Sequence, residues 1–317
     1  AWAPPAEPAP VDAGGLALVG AAMTSLTYVL AQGPRWDWFE APRIVILSIV
    51  ALGAAALLVR RWSRRAGSGL FDGSIFRSRD FVFAVLVSFV AGAALLGSGY
   101  LIPTFAVSVL AFTPTDAGLL LLPSGGVFLL SLLLSAGAFQ SGRVPPIATV
   151  PAGVLLLIAA MTLLAGANAD SGAEGLGPAV LIRGFGLGFL FLSITMIAFS
   201  ALPDRSLAYA IGLFDAGRQI GGLIGIAGLD SLIRHEVAAN QTVLAAAVTA
   251  GAPGAGERIA ANAAALAARG VDAGVAARAA VAEIGRSTAH QATVIAFNTA
   301  FLAIALMFVV AAPLLIA

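Results

Sequence analysis

Of the 317 residues, 60% are apolar and only 10% are charged, with a formal net charge of +1. A soluble domain carries roughly a quarter charged residues and at most about half apolar ones, so this composition argues against a water-soluble fold and for a chain whose solvent is lipid. The small net charge points to no nucleic-acid partner. The absence of cysteine rules out disulfides and thiolate chemistry, and the two histidines, His235 and His290, stand too far apart to suggest a metal site.

The chain opens AWAPPAEPAP, without an initiator Met or a signal pattern, and stops inside an apolar run at Ala317. It therefore reads as a fragment or a processed piece of something longer. A membrane helix needs about 20 largely apolar residues. Eight stretches qualify, near 14–33, 42–59, 81–103, 115–139, 147–166, 177–201, 207–233 and 292–316. Turn or charge signals bound them, among them GPRWDWFEAP, RRWSRRAGSG, FTPTD, QSGRVPP, NADSGAEG and LPDRS. Runs this long and this uniformly apolar are helices, because barrel strands are about half as long and alternate. The expected fold class is thus an all-α membrane protein with about eight transmembrane helices.

Arginine counting sets the expected orientation. With the N-terminus inside, the cytoplasmic loops hold Arg60, Arg61, Arg64, Arg65, Arg77, Arg79, Arg143 and Arg205, whereas the short outer loops hold Arg35 and Arg43. Both chain ends then face the cytoplasm, with Trp36 and Trp38 at an outer interface and Trp62 at an inner one. Residues 234–290 differ from the rest. They are Ala-rich, with Glu257, Arg258, Arg269, Asp272, Arg278, Glu283 and Arg286 spaced through them. They read as an extracytoplasmic loop with one or two amphipathic helices, broken at GAPGAG and Gly270. Such a loop either caps a pore, meets a partner, or is a solvated hairpin with no role of its own.

Charges inside a bilayer are costly and usually face protein or water, so they mark candidate sites. In AIGLFDAGRQIGGLIGIAG, the i,i+3 spacing puts Asp215 and Arg218 on one helical face, with Gln219 beside them. They form either a cavity-facing cluster that binds substrate or couples to protons, or a self-neutralising ion pair between packed helices. Arg183, in LIRGFGLGF, lies near the outer end of its helix, so it either lines an outer vestibule or snorkels to the interface. Its depth argues against direct pairing with Arg218. Asp116, in FTPTDAG, is explained by a helix N-terminus, which stabilises an acid in its first turn. Phe185, Phe189 and Tyr100 can offer apolar contacts to a ligand or simply pack. Gly217, Gly221 and Gly225 recur every four residues, and Gly184 and Gly188 form a second pair; such ridges let helices approach closely in lipid. Pro103 and Pro151 sit near helix ends and prove no hinge. GFGLGF follows no strand and is no dinucleotide loop, and the chain has no GxxxxGK[ST], HExxH or GxSxG pattern.

Six stretches, taken in order, resemble the fourteen-helix drug–proton antiporters of the major facilitator superfamily, the EmrB/QacA type. They are VDAGGLAL, QGPRWDWFEAPRI, GLFDGSIFRSRDF, AGLLLLPSG, LIRGFGLGFLFLSITMIAFSALP and GLFDAGRQIGGLIGIAGLDSLI. The resemblance runs from about 11 to 316. It implies the C-terminal portion of such a transporter: a cytoplasmic linker at 1–13, two extra central transmembrane helices at 14–59, a cytoplasmic loop at 60–80, and a C-terminal six-helix domain at 81–316 that contains the 234–290 loop. The N-terminal six-helix domain, with its proton-coupling acids and gate loop, is then missing from the chain. Two departures stand out. Position 215 is usually Asn in the family and is Asp215 here, and the loop GAFQSGRVPP keeps Gly137 and Arg143 but lacks the acid of the usual gate pattern.

The resemblance implies an inner (plasma) membrane transporter rather than an enzyme. It would need no cofactor and would export amphipathic drugs or other small molecules by proton-driven alternating access. Its partners would be lipid, substrate, protons, the missing domain and, in a double-membraned bacterium, a periplasmic adaptor at the 234–290 loop. Export of one specific metabolite or siderophore fits the same scaffold. A non-transporting membrane fragment or scaffold is the reading from another class.

Overall fold

The computed structural model describes residues 12–64, 79–142, 144–200, 204–248 and 254–316. Its helices are α1 (Ala13–Gln32), α2 (Pro42–Arg64), α3 (Arg79–Ser108), α4 (Pro114–Gln140), α5 (Pro146–Leu164), α6 (Ala173–Ser200), α7 (Asp204–Ala247), α8 (Ala255–Ala268) and α9 (Ala273–Ile316). Two 3₁₀ turns, Gly33–Trp36 and Trp38–Glu40, join α1 to α2. Most of the expected linker at 1–13, most of the expected loop at 60–80, and Arg143 lie outside the described residues.

Among the described residues, seven helices are long and apolar enough to cross a membrane, one fewer than the eight runs expected from the sequence. The exception is α7, whose run is interrupted by Asp215, Arg218, Gln219 and Asp230. Even so, α7 packs along both α3 and α9 as a full member of the bundle. The other close pairs are α1 with α2, α4 and α5 with α6, and α5 with α9.

The bundle inverts the water-soluble pattern. On α4, Ser124, Ser131 and Ser135 are at most 3% exposed, while Leu122 and Leu133 are each 71% exposed. Small polar side chains face inward and leucines face out, as expected when lipid surrounds the helices and close packing joins them. Interhelical hydrogen bonds follow from this. Ser88 Oγ donates to the Phe214 carbonyl at 3.1 Å, Ser131 Oγ donates to that of Phe185 at 3.0 Å, and Thr149 pairs with Ser193. Towards α9 the interior is aromatic: Phe105 meets Phe297 and Phe301 edge to face, at 5.6 and 5.8 Å between ring centroids.

The α1–α2 hairpin is tied at both ends. Asp12 caps α1 by accepting from Gly15 N at 3.1 Å, and it takes a two-pronged bond from Arg61, Nε at 3.0 Å and Nη2 at 2.5 Å. At the turn, Arg43 lies 4.1 Å over the Trp36 ring, and Trp38 Nε1 donates to Ser231 Oγ of α7 at 3.2 Å. These contacts define an Asp12 end and a Trp38 end of the bundle.

The 234–290 segment is more regular than an expected loop. α7 runs unbroken to Ala247, and α9 begins at Ala273, well before the expected span. At about 1.5 Å per residue, these extensions reach roughly 20–27 Å past the apolar runs at the Trp38 end. The cause is composition: no Gly or Pro occurs between 229 and 250, and Ala is the strongest helix former. Ion pairs within the helices, Asp230–Arg234 at 2.9 Å and Glu283–Arg286 at 2.6 Å, support the extended turns. Gly270 breaks the path between α8 and α9 with φ +88°. His290 Nε2 donates to the Val109 carbonyl at 3.0 Å and fastens α9 to the end of α3.

Candidate functional site

The site is built on the contact between α3 and α7. A Cβ added to Gly225 would lie 2.8 Å from Ala93 Cα, and one on Gly217 would lie 3.3 Å from Val85. At Gly221 it would strike the Phe89 carbonyl, and at Gly92 the carbonyl of Arg218. The glycines of both helices therefore bring the backbones together and set Arg218 against α3.

Arg218 Nη2 donates to Asp215 Oδ1 at 2.6 Å, and its guanidinium lies 4.9 Å over the Phe191 ring of α6. The Arg218 side chain is 22% exposed and that of Asp215 is 49% exposed. Arg218 lines a cavity of about 30 Å³ together with Ser88, Leu95, Phe191, Thr195 and Phe214, among others. That volume holds a water or two, so the cavity is a narrow seam with a charged wall. Gln219 is exposed and shares neither the pair nor the cavity.

Arg183 occupies a separate position. It is 6% exposed, so it does not snorkel. Its Nε donates to Ser98 Oγ at 2.8 Å and its Nη2 to the Leu95 carbonyl at 3.2 Å. Leu95 also lines the cavity beside Arg218. On α3, Ser98 lies six residues beyond Gly92, a rise of about 9 Å that separates the two arginines in depth.

A third polar group sits towards the Trp38 end. The Tyr100 hydroxyl donates to Asp230 Oδ1 at 2.9 Å, and Asp230 Oδ2 accepts from Arg234 Nε at 2.9 Å. Tyr100 thus engages this group through its hydroxyl. Tyr100→Phe removes one bond to a carboxylate that is 21% exposed. The expected cost is about 1 kcal/mol, read as a lower unfolding midpoint in detergent; an unchanged midpoint shows that the bond contributes nothing.

Phe185 and Phe189 contact each other edge to face at 5.0 Å and do not line the cavity. On the same helix, a Cβ at Gly184 would lie 2.7 Å from Ser124 Oγ, and one at Gly188 would lie 2.8 Å from the Phe128 carbonyl, so both face α4. Gly186 faces α5 in the same way, 3.0 Å from the Gly153 carbonyl. Asp116 is engaged in its helix cap with Thr113. Sequence reasoning missed Phe191, Ser88 and Ser98, which carry no signal within uniformly apolar runs. It also missed Asp230, whose charge inside an apolar helix was the available clue. Among the described residues, no three His, Asp or Glu side chains gather where they can hold a metal.

A bundle of apolar helices, joined by glycine contacts and serine hydrogen bonds and carrying paired charges within, defines a polytopic helical membrane protein. Comparison with known proteins narrows this. The chain is 31% identical over 218 residues to the multidrug export protein EmrB of Escherichia coli K12, covering 68% of this chain and 42% of that protein. It is 29% identical over 227 residues to the multidrug resistance protein Stp of Mycobacterium tuberculosis H37Rv, covering 70% and 40%. It is 26% identical over 234 residues to the tetracenomycin C resistance and export protein of Streptomyces glaucescens, covering 73% and 43%. No family model matches. The chain belongs to the same family as these relatives, the EmrB type of the major facilitator superfamily. It spans about two fifths of the length of these relatives.

Proposed function

We propose that this chain is the C-terminal portion of a fourteen-helix exporter that moves amphipathic drugs or other small molecules out of the cell in exchange for protons. The observation that carries this reading is an arginine held on the wall of a helix-lined cavity, Arg218 with Asp215, in a chain whose relatives are named as exporters. In this reading α1 and α2 are the accessory pair, and α3 to α9 form one six-span half. That half rocks against an N-terminal half around a midplane site. The arginine bias favours a cytoplasmic Asp12 end, which places the α7–α9 extensions outside, within reach of a periplasmic adaptor. The small volume of the cavity fits a wall that opens only as the halves separate.

The test uses the full-length parent transporter in proteoliposomes. Adding an amphipathic drug should drive proton movement, and an imposed pH gradient should drive drug accumulation. Drug movement that ignores the pH gradient overturns the coupling, and no drug movement overturns the export reading.

A further inference from the structure

The contacts among α3 to α7 are of two kinds. Between α3 and α7, added carbons at Gly92 and Gly221 meet the carbonyls of Arg218 and Phe89. On α6, Gly184 and Gly188 meet the Ser124 and Phe128 carbonyls of α4, and Gly186 meets the Gly153 carbonyl of α5. Backbone thus meets backbone, and two groups result: α3 with α7, and α6 with α4 and α5. Where α6 faces α3 and α7, no described glycine meets backbone. The one whose added carbon reaches across is Gly99, 3.4 Å from Arg183 Nη2.

Among the described residues, side chains alone reach across this seam. Arg183, Leu187, Phe191, Thr195 and Phe199 recur every four residues of α6 and share a face. Arg183 donates to Ser98 and to the Leu95 carbonyl of α3, and Arg218 of α7 lies over Phe191. Phe199 meets Phe214 of α7 edge to face at 5.2 Å. The narrow cavity of about 30 Å³ lies among these contacts, and Phe308 of α9 also lines it.

Helices in lipid associate through close packing, so parting a glycine contact loses van der Waals attraction and regains nothing. Parting the seam is different. Arg183 is 6% exposed, both its partners are neutral, and it has no ion pair among the described residues. A buried cation without a counter-charge carries a heavy desolvation cost. A layer of water admitted at the seam lifts that cost and so offsets the packing that is lost.

We propose that this seam is the plane on which the bundle opens as the transporter cycles, and that Arg183 is its latch. Two hydrogen bonds hold the seam shut, while the dehydrated charge keeps it close to opening. The group of α3 and α7 and the group of α4, α5 and α6 move as rigid bodies on either side. The place of this opening in a transport cycle rests on the export reading above; the opening itself does not.

The test is distance measurement by pulsed electron spin resonance on a cysteine-free full-length parent transporter in lipid vesicles. Spin labels go on four exposed positions, each within seven residues of the Asp12 end of its helix: Leu86→Cys on α3, Ile211→Cys on α7, Leu133→Cys on α4 and Met196→Cys on α6. The pairs within a group, Leu86 with Ile211 and Leu133 with Met196, should each give a single narrow distance. The pairs across the seam, Leu86 with Met196 and Ile211 with Leu133, should each give two distances at least about 3 Å apart, the diameter of one water. Arg183→Gln keeps a donor for Ser98 but removes the buried charge. It should leave only the shorter distance across the seam and raise the melting temperature in detergent. A structural strap gives the opposite sign: Arg183→Gln would then lower the melting temperature and lengthen the distance across the seam, and the latch is overturned. A variant indistinguishable from the wild type overturns the latch too. A single distance across the seam in the wild type overturns the opening, as do two distances in every pair, which would mean that the bundle loosens as a whole. Failure of the same vesicles to move any drug counts against the export reading alone.

Discussion

Gly221→Leu is expected to leave no stably folded protein in the membrane. The glycine faces the Phe89 carbonyl so closely that even a Cβ meets backbone, and backbone cannot swing aside as a flexible side chain can. Overpacking a core costs typically about 1–3 kcal/mol where side chains yield. Here α3 and α7 must part along their length, which also breaks the Ser88 bond to the Phe214 carbonyl. Helix association in lipid depends on van der Waals contact and has no hydrophobic drive between helices to compensate. Gly92→Leu should behave alike, because its Cβ meets the Arg218 carbonyl from the opposite helix. Gly228→Ala is the control: the same helix, with nothing within 4 Å of the added carbon. Monodisperse yield and melting temperature in detergent read the result. Equal behaviour of Gly221→Leu and Gly228→Ala would show that the ridge does not set the packing.

The apolar spans were legible because lipid imposes a length and a composition that few other environments demand. The Asp215–Arg218 pair was legible because a helix brings i and i+3 together whatever the fold. Contacts between helices were not. Tyr100 and Asp230 are 130 residues apart, and nothing in either local sequence announces their bond. Phe191 sits in a run where every neighbour is apolar, so its place beneath Arg218 is set by the rotation of α6 against α7. The long extensions of α7 and α9 were hidden for another reason. Hydropathy registers charged residues as the end of a span, whereas helix propensity continues through an Ala-rich stretch that happens to be polar. The same blindness lowers α7 below the apolarity of a membrane span, because the residues that make it interesting are those that make it polar.

Arg218→Ala is expected to abolish transport while leaving the protein in the membrane at normal abundance. Two contacts are lost, the ion pair to Asp215 and the cation–π contact with Phe191. The carboxylate left behind is 49% exposed and can be hydrated, so the heavy cost of an unpaired buried charge does not arise. An exposed pair is worth about 0–1 kcal/mol, too little to unfold the bundle. Function has no such escape, since Arg218 supplies the charge on the cavity wall. Arg218→Lys keeps that charge but loses the planar stacking on Phe191, and should retain partial activity. Asp215→Asn should retain transport, because the amide oxygen still accepts from Arg218. Drug uptake into everted vesicles, normalised to the amount of transporter, checks all three. Full transport by Arg218→Ala removes Arg218 from the pathway. Its disappearance from the membrane assigns it a structural role and returns the Asp215–Arg218 pair to helix packing.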